Sequence, residues 1–319
     1  MNEHEENDCV VTVYCPAYNH ALFIKDALEG FVNQKTNFKY QVIVHDDAST
    51  DGTQDIIKTY EAKYPGIIRG IYQQENQHSR GVSIFKEFVV PLIKGRYVAT
   101  CEGDDYWIDE NKLQKQFDIL EENPTLVACV HNTVYWNQKN GKKKVFYSKK
   151  YRGVLPFIKC ISRGGGAFHT SSLFMKTEYS ITPCQMTIKG IGDYPRAVYL
   201  ALSGDIFYLN DVMSVYRQYA TGSWSNSQTE ESMITNILSS IRMLREADKL
   251  SNYKHHIDFL KAIRTQEFSL LIRKEEWRQA LKEYPDVISD LPLRRKTKLY
   301  LHACFPGLYD ALKRKRSRR

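Results

Sequence analysis

No stretch of this chain approaches the roughly 18 consecutive apolar residues that a membrane-crossing helix needs, which excludes a spanning helix. Its start, MNEHEENDCVV, has neither the basic n-region nor the apolar h-region of a secretory signal, so the expected location is the cytoplasm. Cysteine is sparse and unpatterned. The seven residues scattered from Cys9 to Cys304 include no CxxC pair, which suits neither a disulfide framework nor a zinc site and reads as reduced, mostly buried thiols. The glycine-rich phosphate loops are missing too. No GxGxxG follows the first apolar run and no GxxxxGK[ST] occurs anywhere, so neither a dinucleotide fold nor a P-loop accounts for a phosphate site.

What is present is a globular composition, 42% hydrophobic and 26% charged over 319 residues, enough for one sizeable domain with an appendage. The net charge of +8 is concentrated at the end, where residues 313–319 carry six cations in seven positions. Such a run favours an anionic partner.

Periodicity organises the first 122 residues. Val10 to Tyr14 reads as a strand, Ala21 to Gln34 as a helix, Tyr40 to His45 as a second strand and Gln54 to Tyr64 as a second helix. A third strand follows at Ile67 to Tyr72, a helix interrupted by Pro91 at Ser83 to Lys94, a fourth strand at Arg96 to Cys101 and a helix at Lys112 to Glu122. Alternation of this kind predicts an α/β fold with a parallel sheet and right-handed crossovers, its ligands beyond the carboxyl ends of the strands. Three loops with unusual chemistry fall at that edge: Pro16-Ala17-Tyr18-Asn19, Asp46-Asp47 and Glu102-Gly103-Asp104-Asp105. Singly, each has a plain use as a turn or a helix cap, Ser49, Thr50 and Asp51 being suited to capping and Asp109 to starting the helix at Lys112. Together they outline a nucleotide pocket: Tyr18 against a base, Asp47 accepting a base N–H, and the acidic cluster holding a hard divalent cation on a diphosphate.

The segments VTVYCPAYNH, VIVHDDASTDGT and YVATCEGDDYW, in that order, resemble the strand-end motifs of the inverting family 2 glycosyltransferases of bacterial polysaccharide biosynthesis. The resemblance runs from Val10 to about Arg217. It implies a GT-A fold, a Rossmann-like mixed sheet flanked by helices, with a C-terminal helical appendage. Residues 1–225 would be the catalytic domain, with a nucleotide-sugar half at 9–125 and an acceptor half at 126–225, and residues 226–319 the helical region. It further implies base contacts for Pro16, Ala17, Tyr18 and Asp47, a place near ribose and diphosphate for Asp104, and Mn²⁺ or Mg²⁺ ligation by Asp105. Glu102 stands where the family more often has an aspartate. Arg80 falls in a segment that often supplies a cation to the diphosphate, His169 at a place facing the diphosphate or acceptor, and Asp193 at the position of the catalytic base. Helix capping alone also accounts for an aspartate there.

Leu126 to Gln138 returns to strand character, and Asn140-Gly141 before Lys142 to Tyr147 reads as a hairpin. Three glycines, Gly164 to Gly166, precede His169 and the strand Ser172 to Met175; the helix Arg196 to Leu202 and the strands Ile206 to Leu209 and Val212 to Arg217 close the domain. Helical spacing dominates from Gln228 onward, and Lys298 to Leu312 mixes aromatics, leucines and cations as an interfacial helix does. The expected partners are a nucleotide-sugar donor, a glycan or lipid-linked acceptor and an anionic membrane surface against the basic tail, at the inner face of the cell membrane. No nucleic acid is expected. The competing readings are a nucleotidyltransferase of similar fold, a non-catalytic nucleotide-sugar or glycan-binding protein, and a nucleic-acid binder acting through the tail. The first wants a glycine-rich basic loop, and Cys15 to His20 has none.

Overall fold

The computed structural model describes residues 9–148, 150–162, 166–188, 190–220 and 228–305. Arg163, Gly164 and Gly165, the Gly222 to Ser225 ending and everything from 306 onward, including the basic run, lie outside the described residues.

The amino-terminal half alternates as its periodicity predicts: β1 (Cys9–Ala17), α1 (Ile24–Val32), β2 (Lys39–Asp46), α2 (Thr53–Lys63), β3 (Ile68–Tyr72), β4 (Tyr97–Thr100), a short β5 (Tyr106–Trp107) and α3 (Lys112–Glu122). Residues 126–218 contribute β6 (Leu126–Asn137), β7 (Lys143–Val145), β8 (Gly153–Val154), α4 (Phe157–Ser162), β9 (Phe174–Lys176), α5 (Tyr194–Ser203) and β10 (Asp205–Gln218). One sheet runs β3-β2-β1-β4-β9-β6-β10-β5, with β7 on β6 and β8 on β10. Strands β1 to β4 pair in parallel, and so do β6 and β10; β9 lies antiparallel between β4 and β6 and joins the two halves. Helices cover both faces of the central parallel strands, so Val42 to Asp46 and all of β4 are buried, and their Val42 to Val44 and Tyr97 to Ala99 stretches read as unbroken apolar runs rather than alternating ones.

Two expectations change. The helix predicted at Ser83 to Lys94 is a wide π turn, Phe85–Val89, running into a 3₁₀ turn, Val90–Leu92, because Pro91 has no N–H to continue an α-helical ladder. The two closing strands are one, β10, whose register against β6 slips between Leu209 and Val212. That slip is a bulge at Asn210-Asp211, from which Asp211 reaches Lys115 Nζ at 3.0 Å.

Beyond the sheet come α6 (Glu230–Leu250), α7 (His256–Arg273), α8 (Trp277–Glu283), α9 (Pro285–Ser289) and α10 (Leu293–Cys304). Ile241, Leu244, Phe259 and Ile263 of α6 and α7 share a core with Ile161, Tyr194 and Val198 of α4 and α5, which seats α6 and α7 against α4 and α5. Leu299 of α10 is buried in a satellite core with Phe268, Tyr284 and Ile288.

Candidate active site

The first two strand-end loops are stapled to each other by their own polar residues. The Asn19 N–H donates to Ser49 Oγ at 2.8 Å and the Thr50 N–H to Asn19 Oδ1 at 2.9 Å; the His20 N–H reaches Thr53 Oγ1 at 2.8 Å and the Ala21 N–H Asp51 Oδ2 at 2.9 Å. Asn19 and Ala48 take positive φ values of 54° and 65°, so the chain turns sharply at both places. Asp51 therefore binds the neighbouring loop as well as Thr53 of α2, whose N-cap is Gly52. Asp46, fully buried, accepts from the Ser49 N–H and from Gln54 Nε2.

The acidic turn docks on this frame. The Gly103 N–H donates to the Pro16 carbonyl at 2.9 Å, and the Asp47 N–H to the Ala17 carbonyl at 2.9 Å. A Cβ at position 103 would sit 2.7 Å from Ile24 Cδ1 and 2.8 Å from His20 Nδ1, so only glycine lets the turn approach this closely. Asp105 is buried, with Oδ1 accepting the Arg217 N–H at 2.9 Å. The Arg217 guanidinium donates to the Asp104 carbonyl at 2.8 Å, pairs with Asp26 and lies over the Tyr106 ring, 4.3 Å from its centroid. It thereby fastens the end of β10 to the acidic turn.

Glu102, Asp105 and His169 converge, each offering one ligand atom within 4.8 Å of the others. Burial, then Asp193 and Asp104, push the Glu102 carboxyl up to about 8; burial, then Asp104 and Glu102, raise Asp105 well above the usual carboxylate range. Burial holds His169 down to about 4, so its imidazole is neutral. Its Nε2 stands 3.7 Å from Asp105 Oδ2, too far for a hydrogen bond and, with a neutral ring, no ion pair. Beneath it Nδ1 meets Ser171 Oγ at 2.8 Å, and Ser171 Oγ donates to Ser214 Oγ at 2.9 Å, which fixes the ring. Glu102 Oε2 is buried without a hydrogen-bond partner among the described residues. Two destabilised carboxylates, an orphaned oxygen and a neutral imidazole make a donor set that fits a hard divalent cation.

Asp193 lies across a cavity of about 370 Å³ whose walls include Glu102, Thr170, Arg196, Phe85 and Tyr14. It occupies the N-cap position of α5, yet its side chain caps nothing. The second helical residue, Pro195, has no N–H to offer, and the carboxylate, 49% exposed, instead accepts from Thr170 Oγ1 at 2.5 Å. Capping does not occupy it.

The family description glycosyl transferase family 2 matches residues 12–179, more than half of the chain. The chain belongs to glycosyl transferase family 2. An uncharacterized protein of Mycobacterium tuberculosis is 35% identical over 67% of this chain and 60% of its own length, so the chain spans about three fifths of that relative. The minor teichoic acid biosynthesis protein GgaB of Bacillus subtilis is 28% identical over 43% of this chain and 15% of that protein. The fold is similar to that of S. aureus TarS, solved in complex with UDP, at a TM-score of 0.56 and 15% identity, covering 96% of this chain and 92% of that one.

Within this family 2 chain the three loops meet at one sheet edge, as their spacing predicts. Tyr18 is 46% exposed at the rim. Asp47 is buried with its oxygens on the Gln77 and His78 N–H groups at 2.7 and 3.0 Å, so it holds the 77–78 loop over the site. Asp104 faces His20 Nε2 at 4.0 Å. Arg80 is not brought to the cavity: its guanidinium pairs with Glu75 on the surface, and the cation in the cavity wall is Arg196. Likewise Asp109 is not the cap of α3, which is Asn111. His20, Thr170, Arg196 and Arg217 are the residues that the linear reading passes over. Only the Tyr216-Arg217 pair, at the end of the family resemblance, signals one of them.

Proposed function

We propose that the chain is an inverting, metal-dependent glycosyltransferase that moves a sugar from a nucleotide donor, UDP-linked, to a glycan or lipid-linked acceptor in cell-wall polysaccharide assembly. The observation that carries this reading is one cavity walled on one side by the Glu102 end of an acidic cluster and on the other by an uncapped Asp193. Family membership supports the activity, the complex of TarS with UDP supports the nucleotide, and the likeness to GgaB, a minor teichoic acid biosynthesis protein, supports the cell wall.

Glu102, Asp105 and His169 would hold Mn²⁺ or Mg²⁺, which when bound neutralises charge on the donor diphosphate. The chain's own residues do the rest. Pro16, Ala17 and Tyr18 form the floor and rim for the base, with Asp47 and Asp104 beside them. Asp193 takes the proton of the acceptor hydroxyl as that oxygen attacks the anomeric carbon from the face opposite the nucleotide, the bond from that carbon to the phosphate oxygen breaks and the nucleoside diphosphate leaves with its electron pair, and Thr170 orients the carboxylate. A seat at the inner face of the membrane rests on the run at 313–319 alone; equal sedimentation with anionic vesicles after its deletion would remove that part.

The deciding experiment incubates the protein with a panel of nucleotide sugars and Mn²⁺ and follows released nucleoside diphosphate with and without EDTA. Asp193→Asn should keep donor binding and lose about 10²- to 10⁴-fold in turnover. Chelator-indifferent turnover would remove the metal role, and unimpaired Asp193→Asn would remove the base.

A further inference from the structure

Between Glu122 and Glu178 the chain has no carboxylate and ten lysines and arginines, although acidic residues are spread through the rest of it. Much of this charge lies on one stretch. Lys139, Lys142, Lys143, Lys144, Lys150 and Arg152 are exposed on the β6–β7 hairpin and the segment leading to β8. Among the described residues none of them has a carboxylate in ion-pair range, and Lys139, Lys143, Lys144 and Arg152 lie over aromatic faces instead. Lys143 stands 4.3 Å from the Trp136 ring centroid, Lys139 4.7 Å from Tyr219 and Arg152 5.6 Å from Phe207. Cations left without acidic partners create a positive field that attracts an extended anion.

Beside these residues is a cavity of about 480 Å³, walled by Phe146, Tyr147, Tyr151, Leu155, Lys150 and Lys159. Lys159 lies 5.3 Å from the Tyr151 centroid and 5.9 Å from that of Tyr147. Rings that offer flat apolar faces with cations at their edges match a sugar unit carrying a negative group. The cavity is also connected to the transfer site by rings. Phe146 stacks on Tyr135 at 5.1 Å, Tyr135 meets His169 at 5.9 Å and Tyr216 at 5.1 Å, and Tyr216 lies 4.1 Å from His169. These contacts place the wall of the cavity one ring, Tyr135, away from His169 of the candidate metal cluster.

We infer that the acceptor is a polyanionic glycan, bearing phosphate or carboxylate on its repeat, and that the basic aromatic face from Lys139 to Lys159 holds the chain of it that leads into the Asp193 cavity. The inference rests on the transferase reading for its direction, but binding to this face is measurable without turnover. Continuity with the transfer site is what favours a glycan over RNA, which the same mix of rings and cations also suits.

The test measures binding of the full chain, with no nucleotide sugar present, to polygalacturonate oligomers, poly(glycerol phosphate), dextran of equal length and single-stranded RNA. One of the two anionic glycans should bind about tenfold or more tighter than dextran, and raising salt from about 50 to about 300 mM should weaken it severalfold as screening grows. Whichever of the two binds tighter identifies the anion. Replacing Lys142, Lys143 and Lys144 together by alanine should weaken that binding about tenfold, with an unchanged thermal midpoint because all three are solvent-exposed, and Tyr151→Ala should weaken it independently. Dextran bound as tightly as both anionic glycans overturns the inference. So does RNA bound more tightly than either and lost equally in the triple variant, which would make the face a nucleic-acid surface. Because binding is read directly, absence of sugar transfer would sink the transferase reading without altering this result.

Discussion

Replacing Arg217 by alanine tests the claim that the acidic turn is held from β10. The guanidinium is 4% exposed and has three kinds of partner. Its bond to the half-buried Asp104 carbonyl has a charged donor, worth about 1.5–3 kcal/mol. Its seat on the Tyr106 face adds about 1–2 kcal/mol. The pair with Asp26 adds less than its closeness suggests, because that carboxylate is 56% exposed, and a screened pair contributes at most about 1 kcal/mol. The loss should therefore be about 3–5 kcal/mol, read as a lowered guanidinium midpoint at unchanged slope. Arg217→Lys should recover little of it, since an ammonium cannot span the carbonyl and the carboxylate in one planar fork. The backbone N–H on Asp105 Oδ1 survives either substitution, so Asp105 stays in place. It does lose the cation that lowers its pKa, so Mn²⁺ binding near neutral pH should weaken along with stability. A destabilisation below about 1 kcal/mol would refute the reasoning, since it would leave even the weakest reckoning of these contacts unaccounted for.

Gly103→Ala should cost about 1–3 kcal/mol and weaken nucleotide-sugar binding in calorimetry, because the added carbon meets Ile24 and His20 at under 3 Å; wild-type affinity and stability would show that the turn has room. Lys112, fully buried over Trp107 and donating to Gln116, is held down to about 7 from its ordinary 10.5, chiefly by burial. The unfolded chain then binds the extra proton between those values, so Lys112 itself contributes a stabilisation that grows with pH from about 7 to about 10.5, by up to about 5 kcal/mol at about 1.4 kcal/mol per pH unit, while the buried thiols of Cys101 and Cys129, held above their ordinary value, act in the opposite sense above about pH 9. The difference in denaturation midpoints between wild type and Lys112→Met should therefore change in favour of wild type across that window, and a constant difference would remove the assignment to Lys112. Asp47→Ala strips the Gln77 and His78 N–H groups of their acceptor and should speed hydrogen exchange at those two amides, with a stability loss of about 1–3 kcal/mol; exchange at the wild-type rate would show that the loop is held elsewhere.

The first 122 residues were largely legible because β1, β2 and β4 are covered on both faces and announce themselves as short apolar runs, while α1, α2 and α3 repeat at their own period. The Pro16 to His20 and Asp46 to Thr53 motifs were legible for a local reason, since their side chains bond to backbone a few positions or one neighbouring loop away. Less was visible where the chain breaks its own pattern. Pro91 turns an expected helix into π and 3₁₀ turns, and the bulge at Asn210-Asp211 conceals that β10 is continuous.

By itself, the sequence determined the alternating fold of the amino-terminal half, the strand-end position of its acidic turns and the candidacy of Asp193. Only the tertiary structure decided that His169 closes on Glu102 and Asp105, that Arg196 and not Arg80 walls the cavity, and that the Asp193 side chain caps no N–H of its helix. Those outcomes depend on β9 lying between β4 and β6, on the rotation of α5 against Thr170 and on the partner that Arg80 finds in Glu75. Backbone periodicity is written in neighbouring residues, whereas a side chain's company across 60 or so positions is set by packing, about which local pattern is silent.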